Sequence, residues 1–97
     1  MAEISWTLEA QKWLKDIYDF IALDNPSAAK RVVEGIYDKA QVLKKYPKIG
    51  HKYYANEEDI RILLYGHYRI VYLIKPDKNI DILGVFHGAL DIDKYLF

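Results

Sequence analysis

Cysteine is absent from the 97 residues, which excludes disulfides, Cys-ligated zinc or iron–sulfur centres and a thiol nucleophile. No apolar run approaches the roughly 18 residues of a transmembrane helix, and no basic-then-apolar leader follows Met1. The chain is therefore expected to be soluble and cytoplasmic, with no membrane partner. Net charge is also missing, since 14 Lys and Arg balance 14 Asp and Glu. The halves do not differ: residues 1–50 hold eight basic and seven acidic side chains, residues 51–97 six and seven. Free-standing nucleic-acid binders carry a positive excess, so any phosphate-facing surface here must be local. There is no internal repeat, linker or low-complexity segment, and no Gly-rich phosphate loop or GxSxG element. His51, His67 and His87 fall on separate elements without ligand spacing, so neither metal nor cofactor is expected.

What is present is ordinary globular composition, 52% apolar and 29% charged, read as one domain over 1–97. A chain of this length buries about 60–65% of its unfolded surface, enough for one thin core. The basic residues gather in one place: Lys39, Lys44, Lys45, Lys48 and Lys52, with His51 beside them. Cations near a helix C-terminus are favoured by the macrodipole. The alternative is a contact with a polyanion or a target through Lys44, Lys45, Lys48 and Lys52.

Periodicity divides the chain. AEISW at 2–6 has the character of a short edge strand. Thr7 then suits an N-cap, with Glu9 near the positive end of the dipole. Leu8, Ala10, Trp13, Leu14, Ile17, Tyr18 and Ile21 recur at helical steps. Asn25 before Pro26 repeats the cap signal, because proline's missing N–H costs nothing in a first turn. Ala29, Val32, Val33, Ile36, Ala40 and Leu43 carry a second helix to about Lys45, where Pro47 and Gly50 end it. Three strands follow at Ile60–Tyr65, Tyr68–Ile74 and Ile80–His87. Gly66-His67 suits a two-residue type II′ hairpin, and KPDKN at 75–79 a longer turn.

Parity in this antiparallel meander sets Leu64 against Arg69 and Ile62 against Val71. With even register through the second turn, Arg69 lies opposite Val85, one diagonal step from His87, and the two share a face. Ile60, Ile62, Leu64, Val71, Leu73, Leu83 and Val85 surround them, while Arg61, Tyr65, Tyr68 and Tyr72 share the other face. A one-residue bulge would reverse this. Both faces are apolar and only two helices are available, so one face is expected to stay partly open for a protein partner. The tail ALDIDKYLF at 89–97 is a further candidate cover.

The order and spacing of DIYDFIALDNPSAAKRVVEGI (16–36), LKKYPKIG (43–50), DIRILLYGHYRIVYLI (59–74) and ILGVFHGALD (82–91) resemble the RelE/ParE superfamily of type II toxin–antitoxin toxins nearly end to end. The resemblance implies an α+β fold: an N-terminal strand and a helical hairpin packed on a small antiparallel sheet. It also implies a toxin of a plasmid-stabilisation type of system, silenced by a cognate antitoxin through which operator DNA is bound.

Two arms of that superfamily imply different chemistry. The RelE-like arm cleaves mRNA on the ribosome without metal, and the ParE-like arm poisons DNA gyrase through a protein contact. Cleavage through the 2′-hydroxyl needs a base, an acid and cations around one phosphate. The matching candidates are Arg69 as phosphate clamp and His87 as acid or base, with Arg61 a further candidate. Each also has a structural reading: Arg69 as an ion-pair partner, His87 as a cap on the last strand. The RelE-like arm is markedly basic before its sheet, whereas YYANEED at 53–59 carries three acids and no base. HGALD and the DNPSAA helix start resemble the ParE-like arm, which is the expected function. The alternatives are the RelE-like endoribonuclease and an interaction domain without toxicity.

Overall fold

The computed structural model describes residues 2–53 and 57–88. Strand β1 (Ile4–Trp6) leads into helix α1 (Leu8–Ala22), then helix α2 (Pro26–Gln41) and a 3₁₀ turn at Val42–Lys44. Four strands follow: β2 (His51–Lys52), β3 (Asp59–Tyr65), β4 (Tyr68–Ile74) and β5 (Ile80–His87). They form one mixed sheet in the order β1-β5-β4-β3-β2. The expected meander is its centre. The N-terminal strand lies at one edge, parallel to β5, with Ile4 beside Ile80 and Trp6 beside Ile82.

Local chemistry explains the helix boundaries. The Thr7 hydroxyl accepts from the Ala10 N–H at 3.1 Å and donates to the Ile82 carbonyl at 2.8 Å, so one side chain caps α1 and fastens it to β5. Asn25 Oδ1 accepts from the Ala28 N–H at 3.1 Å, and Pro26 occupies the first turn. The helical pair and the 3₁₀ turn bury Ala10, Ile36, Ala40 and Leu43 against Leu63, Ile70, Tyr72, Ile80, Ile82 and Val85. Burying each large side chain contributes about 1.5–3 kcal/mol. Leu8 does not join them and is exposed. Two residues from Ala10, it sits about 200° around the helix, opposite the buried stripe.

The first hairpin forms as expected. Gly66 has φ +57° and His67 stays at negative φ, which is the type II′ pattern, and Leu64 pairs Arg69 while Ile62 pairs Val71. The second hairpin departs from expectation. Register is even from Ile74–Ile80 to Tyr72–Ile82, but Val71 then pairs Gly84, leaving Leu83 as an extra residue. Beyond this bulge Arg69 opposes Phe86 and His87 opposes Tyr68. Val85 and His87 therefore move to the helix side, and the shared face expected for Arg69 and His87 does not exist.

The face away from the helices is also less open than expected. Ile60, Ile62, Val71 and Phe86 form a second buried cluster, with Val71 at 0% exposure. Leu64 alone among the large β3 residues of that face is well exposed, at 56%. The tail at 89–97, considered as a cover, lies outside the described residues, as do residues 54–56 of the acidic segment.

Between the 3₁₀ turn and β2 the chain is tied to the sheet by side chains. The Tyr72 hydroxyl donates to the Pro47 carbonyl at 2.7 Å and accepts from the Gly50 N–H at 2.9 Å. Any Cβ at Gly50 would come within 2.6 Å of that hydroxyl and 2.8 Å of the Ile62 carbonyl, so only glycine lets this loop lie so close. Tyr72 is fully buried, and burial raises its pKa above the usual 10, against the opposing pull of the Gly50 N–H and of Arg61.

Tyr72→Phe should cost about 1–3 kcal/mol at neutral pH, because two buried backbone groups lose their partner. Above about pH 10 the unfolded chain ionises this phenol while the folded chain keeps it protonated, so folded protein binds the extra proton and stability falls as pH rises. Urea titrations between neutral and alkaline pH should show the wild type losing more stability above that pH than Tyr72→Phe. Parallel curves would contradict this role.

Candidate functional site

Four regions carry the residues singled out by sequence. Lys44 ends the 3₁₀ turn, Lys45 and Lys48 flank Tyr46 and Pro47, and Lys52 lies in β2; all four are exposed. Lys45 Nζ stands 5.7 Å from the centre of the Tyr46 ring, within cation–π range. Lys45, Tyr46, Pro47, Lys48 and Ile49 line an open, largely apolar depression of about 440 Å³. The basic cluster is thus real, but its centre is hydrocarbon.

Arg61 has a different occupation. Its Nε donates to Asp59 Oδ1 at 3.0 Å, and its Nη1 donates to the carbonyls of Gly50 at 3.0 Å and Lys48 at 3.3 Å. The guanidinium is committed to the same loop that Tyr72 holds, and Arg61 and Tyr72 are cross-strand partners in β3 and β4. Its geometry is that of a structural clamp. The sequence offered it only as a further catalytic candidate; the signal for the clamp was its place opposite Tyr72, with Gly50 upstream.

Arg69 and His87 are separated by the sheet itself. Arg69 projects with Leu64 and Phe86 on the face away from the helices, half-buried and without an ion pair among the described residues. His87 is exposed on the other side, its ring 5.7 Å from Tyr68 in an edge arrangement. It lines a cleft of about 330 Å³ beside α1, with Trp13, Asp16, Phe20 and Tyr68 among its walls. A side chain on one face and a side chain on the other cannot grip one phosphate.

His67 and His87, expected on unrelated elements, come together because the β3–β4 turn lies beside the end of β5. Their rings stack at 6.2 Å, and the Gly88 N–H donates to the His67 carbonyl at 2.7 Å. His51 is in β2 on the opposite edge of the meander. Among the described residues no three His, Asp or Glu converge as metal ligands, and no helix is long and apolar enough to cross a membrane.

The fold and sequence both have relatives. A family model described as the ParE toxin of the type II toxin–antitoxin system, parDE, matches residues 4–92. The "Putative toxin Y4kP" of Sinorhizobium fredii (strain NBRC 101917 / NGR234) is 36% identical over 85 residues, which is 88% of this chain and 86% of that protein. Among solved structures, the chromosomal ParDE toxin–antitoxin system from P. aeruginosa superposes with TM-score 0.74 at 24% identity, covering 90% of this chain and 96% of the other. The RelBE2 toxin–antitoxin complex from Mycobacterium tuberculosis superposes with TM-score 0.62 at 22% identity, covering 89% and 96%. At these identities the solved structures establish the α+β architecture.

The separate roles of the two arginines are open to measurement. Arg61→Ala should lower stability by about 1–3 kcal/mol, since it removes three charge-assisted hydrogen bonds, two of them part-buried, that hold the loop to the sheet. Arg69→Ala and His87→Ala should each cost less, about 0.5–1 kcal/mol, because Arg69 is only half-buried with no ion pair among the described residues and His87 is exposed. Chemical denaturation of the three variants checks the ranking; an Arg69→Ala loss as large as that of Arg61→Ala would overturn it.

Proposed function

The chain belongs to the ParE family of toxins of type II toxin–antitoxin systems, and from that membership we propose that it arrests growth by binding DNA gyrase. In the resting cell a cognate antitoxin holds it silent in the cytoplasm and carries the pair to operator DNA. The solved relatives are toxin–antitoxin systems, which supports an antitoxin as partner.

One observation carries the choice of a protein target over RNA cleavage. Arg69 and His87 project from opposite faces of the sheet, because the bulge at Leu83 reverses the parity of β5. Cleavage through a ribose hydroxyl needs proton transfer and charge stabilisation at a single phosphate. The third candidate, Arg61, already donates to Asp59 and to two backbone carbonyls. With zero net charge the protein also lacks the long-range field that draws ligands to ribosomal RNA.

Purified protein should inhibit supercoiling by DNA gyrase, and induced expression should cause filamentation with translation persisting early. His87→Ala should retain the arrest. Ribosome-dependent cuts in mRNA that vanish with His87→Ala would overturn the gyrase reading and make His87 a catalytic acid or base.

A further inference from the structure

Between residues 39 and 53 the chain places Lys39, Lys44, Lys45, Lys48, Lys52 and His51, and no Asp or Glu. Three lysines elsewhere meet carboxylates: Lys15 meets Asp19 at 2.6 Å, Lys30 meets Glu34 at 4.0 Å and Lys75 meets Asp81 at 3.5 Å. None of the five lysines in the 39–53 stretch makes an ion pair among the described residues. A neutral protein thus gathers five lysines in a stretch of fifteen residues that contains no carboxylate.

The surface of that stretch has an apolar centre and a fixed shape. Tyr46 is 54% exposed and Ile49 52%, beside Pro47 in the depression between Lys45 and Lys48. Behind it the loop backbone is held by the two Tyr72 bonds and the two Arg61 bonds, so little order remains to be imposed on binding. An apolar anchor in a pocket with charges around the rim is the usual plan of a protein contact. A nucleic acid is a poorer fit, because the depression offers one aromatic ring beside aliphatic Pro47 and Ile49 rather than a series of rings on which bases could stack. The solved relatives are toxin–antitoxin systems, so an antitoxin is the protein partner for which this fold has a precedent.

We propose that this surface receives an acidic segment of the antitoxin, with one apolar side chain against Tyr46, Pro47 and Ile49 and carboxylates over Lys44, Lys45 and Lys48. The inference rests on the antitoxin reading given above. The charges set the on-rate and the salt dependence, and the anchor sets the lifetime of the complex.

The probe is the protein encoded by the small reading frame adjoining the gene, titrated calorimetrically into the full-length toxin at low and high salt. Wild type should bind it, more weakly as salt rises. A Lys44→Gln, Lys45→Gln, Lys48→Gln triple variant should bind about tenfold or more weakly at low salt, with a flatter salt dependence. Ile49→Ser should lose about tenfold at both salts, since an anchor contact is not screened. Thermal midpoints of the free variants identify any that fail to fold, and either variant alone suffices for the test. Wild-type affinity in both folded variants would overturn the proposal while leaving the antitoxin reading intact. Absence of wild-type binding would instead remove the antitoxin reading, and this one with it. Unchanged antitoxin affinity with lost growth arrest, or with lost retention on polyuridylate, would reassign the surface to the target or to RNA.

Discussion

The buried hydroxyl of Tyr72 is the constraint on which the arrangement of the helical half against the sheet depends. Between the last turn of the helical hairpin and β2 the chain must reverse over the sheet, and a reversing backbone leaves carbonyls and N–H groups without ladder partners. Tyr72 answers two of them, at Pro47 and Gly50, and Arg61 answers the carbonyls of Lys48 and Gly50. Four such bonds at about 0.5–1.5 kcal/mol each, more where the donor is charged, are comparable to a sizeable part of a small domain's stability. They also hold the loop at a distance only glycine permits at position 50. β2 can pair with β3 because its start is positioned by this loop, His51 meeting Ile62 and Lys52 meeting Arg61.

The second constraint is the bulge at Leu83. A sheet with helices on one side assigns meaning to parity, and one extra residue exchanges the faces of everything beyond it. Ile80 and Ile82 point into the helix-facing core in even phase, and Val85 does so in odd phase. Phe86 accordingly goes to the second cluster, and Trp13 of α1, which packs against both clusters, meets its ring edge-on at 4.6 Å. Histidine and arginine that would flank one ligand in a regular ladder are thereby set on opposite sides of the protein.

These two features mark where sequence reading succeeds and stops. Thr7, Asn25-Pro26 and Gly66-His67 act through neighbours two or three residues away, so both caps and the first hairpin were legible, and with them the α+β class. The helical stripes were legible too, apart from Leu8 and Tyr18, which are both exposed. Parallel pairing of β1 with β5 joins residues 76 apart, Ile4 with Ile80, and nothing local encodes it. The bulge was hidden for a different reason. ILGVF at 82–86 is apolar at every position or glycine, so alternation cannot register a change of phase. Its one trace was that Ile80 and Ile82 share a parity that Val85 does not. The Arg61 clamp was missed because an arginine in a strand reads as free chemistry until its carbonyl partners, 11 and 13 residues upstream, are folded against it.

Charge distribution ties the fold to what the surface can do. Pairs such as Lys15–Asp19 and Lys75–Asp81 neutralise the exposed faces locally, and exposed pairs of this kind contribute little to stability. Between 39 and 53, by contrast, five lysines stand with no intervening carboxylate and no ion pair among the described residues. Within about one Debye length of the surface, zero net charge does not prevent a strong local field. The loop clamped by Tyr72 and Arg61 is the place where that field coincides with exposed apolar side chains. A scaffold of this kind specifies function through what its loops present, not through the layers beneath. Here the sheet separates Arg69 from His87 and immobilises the basic loop at its edge, an arrangement suited to holding another protein.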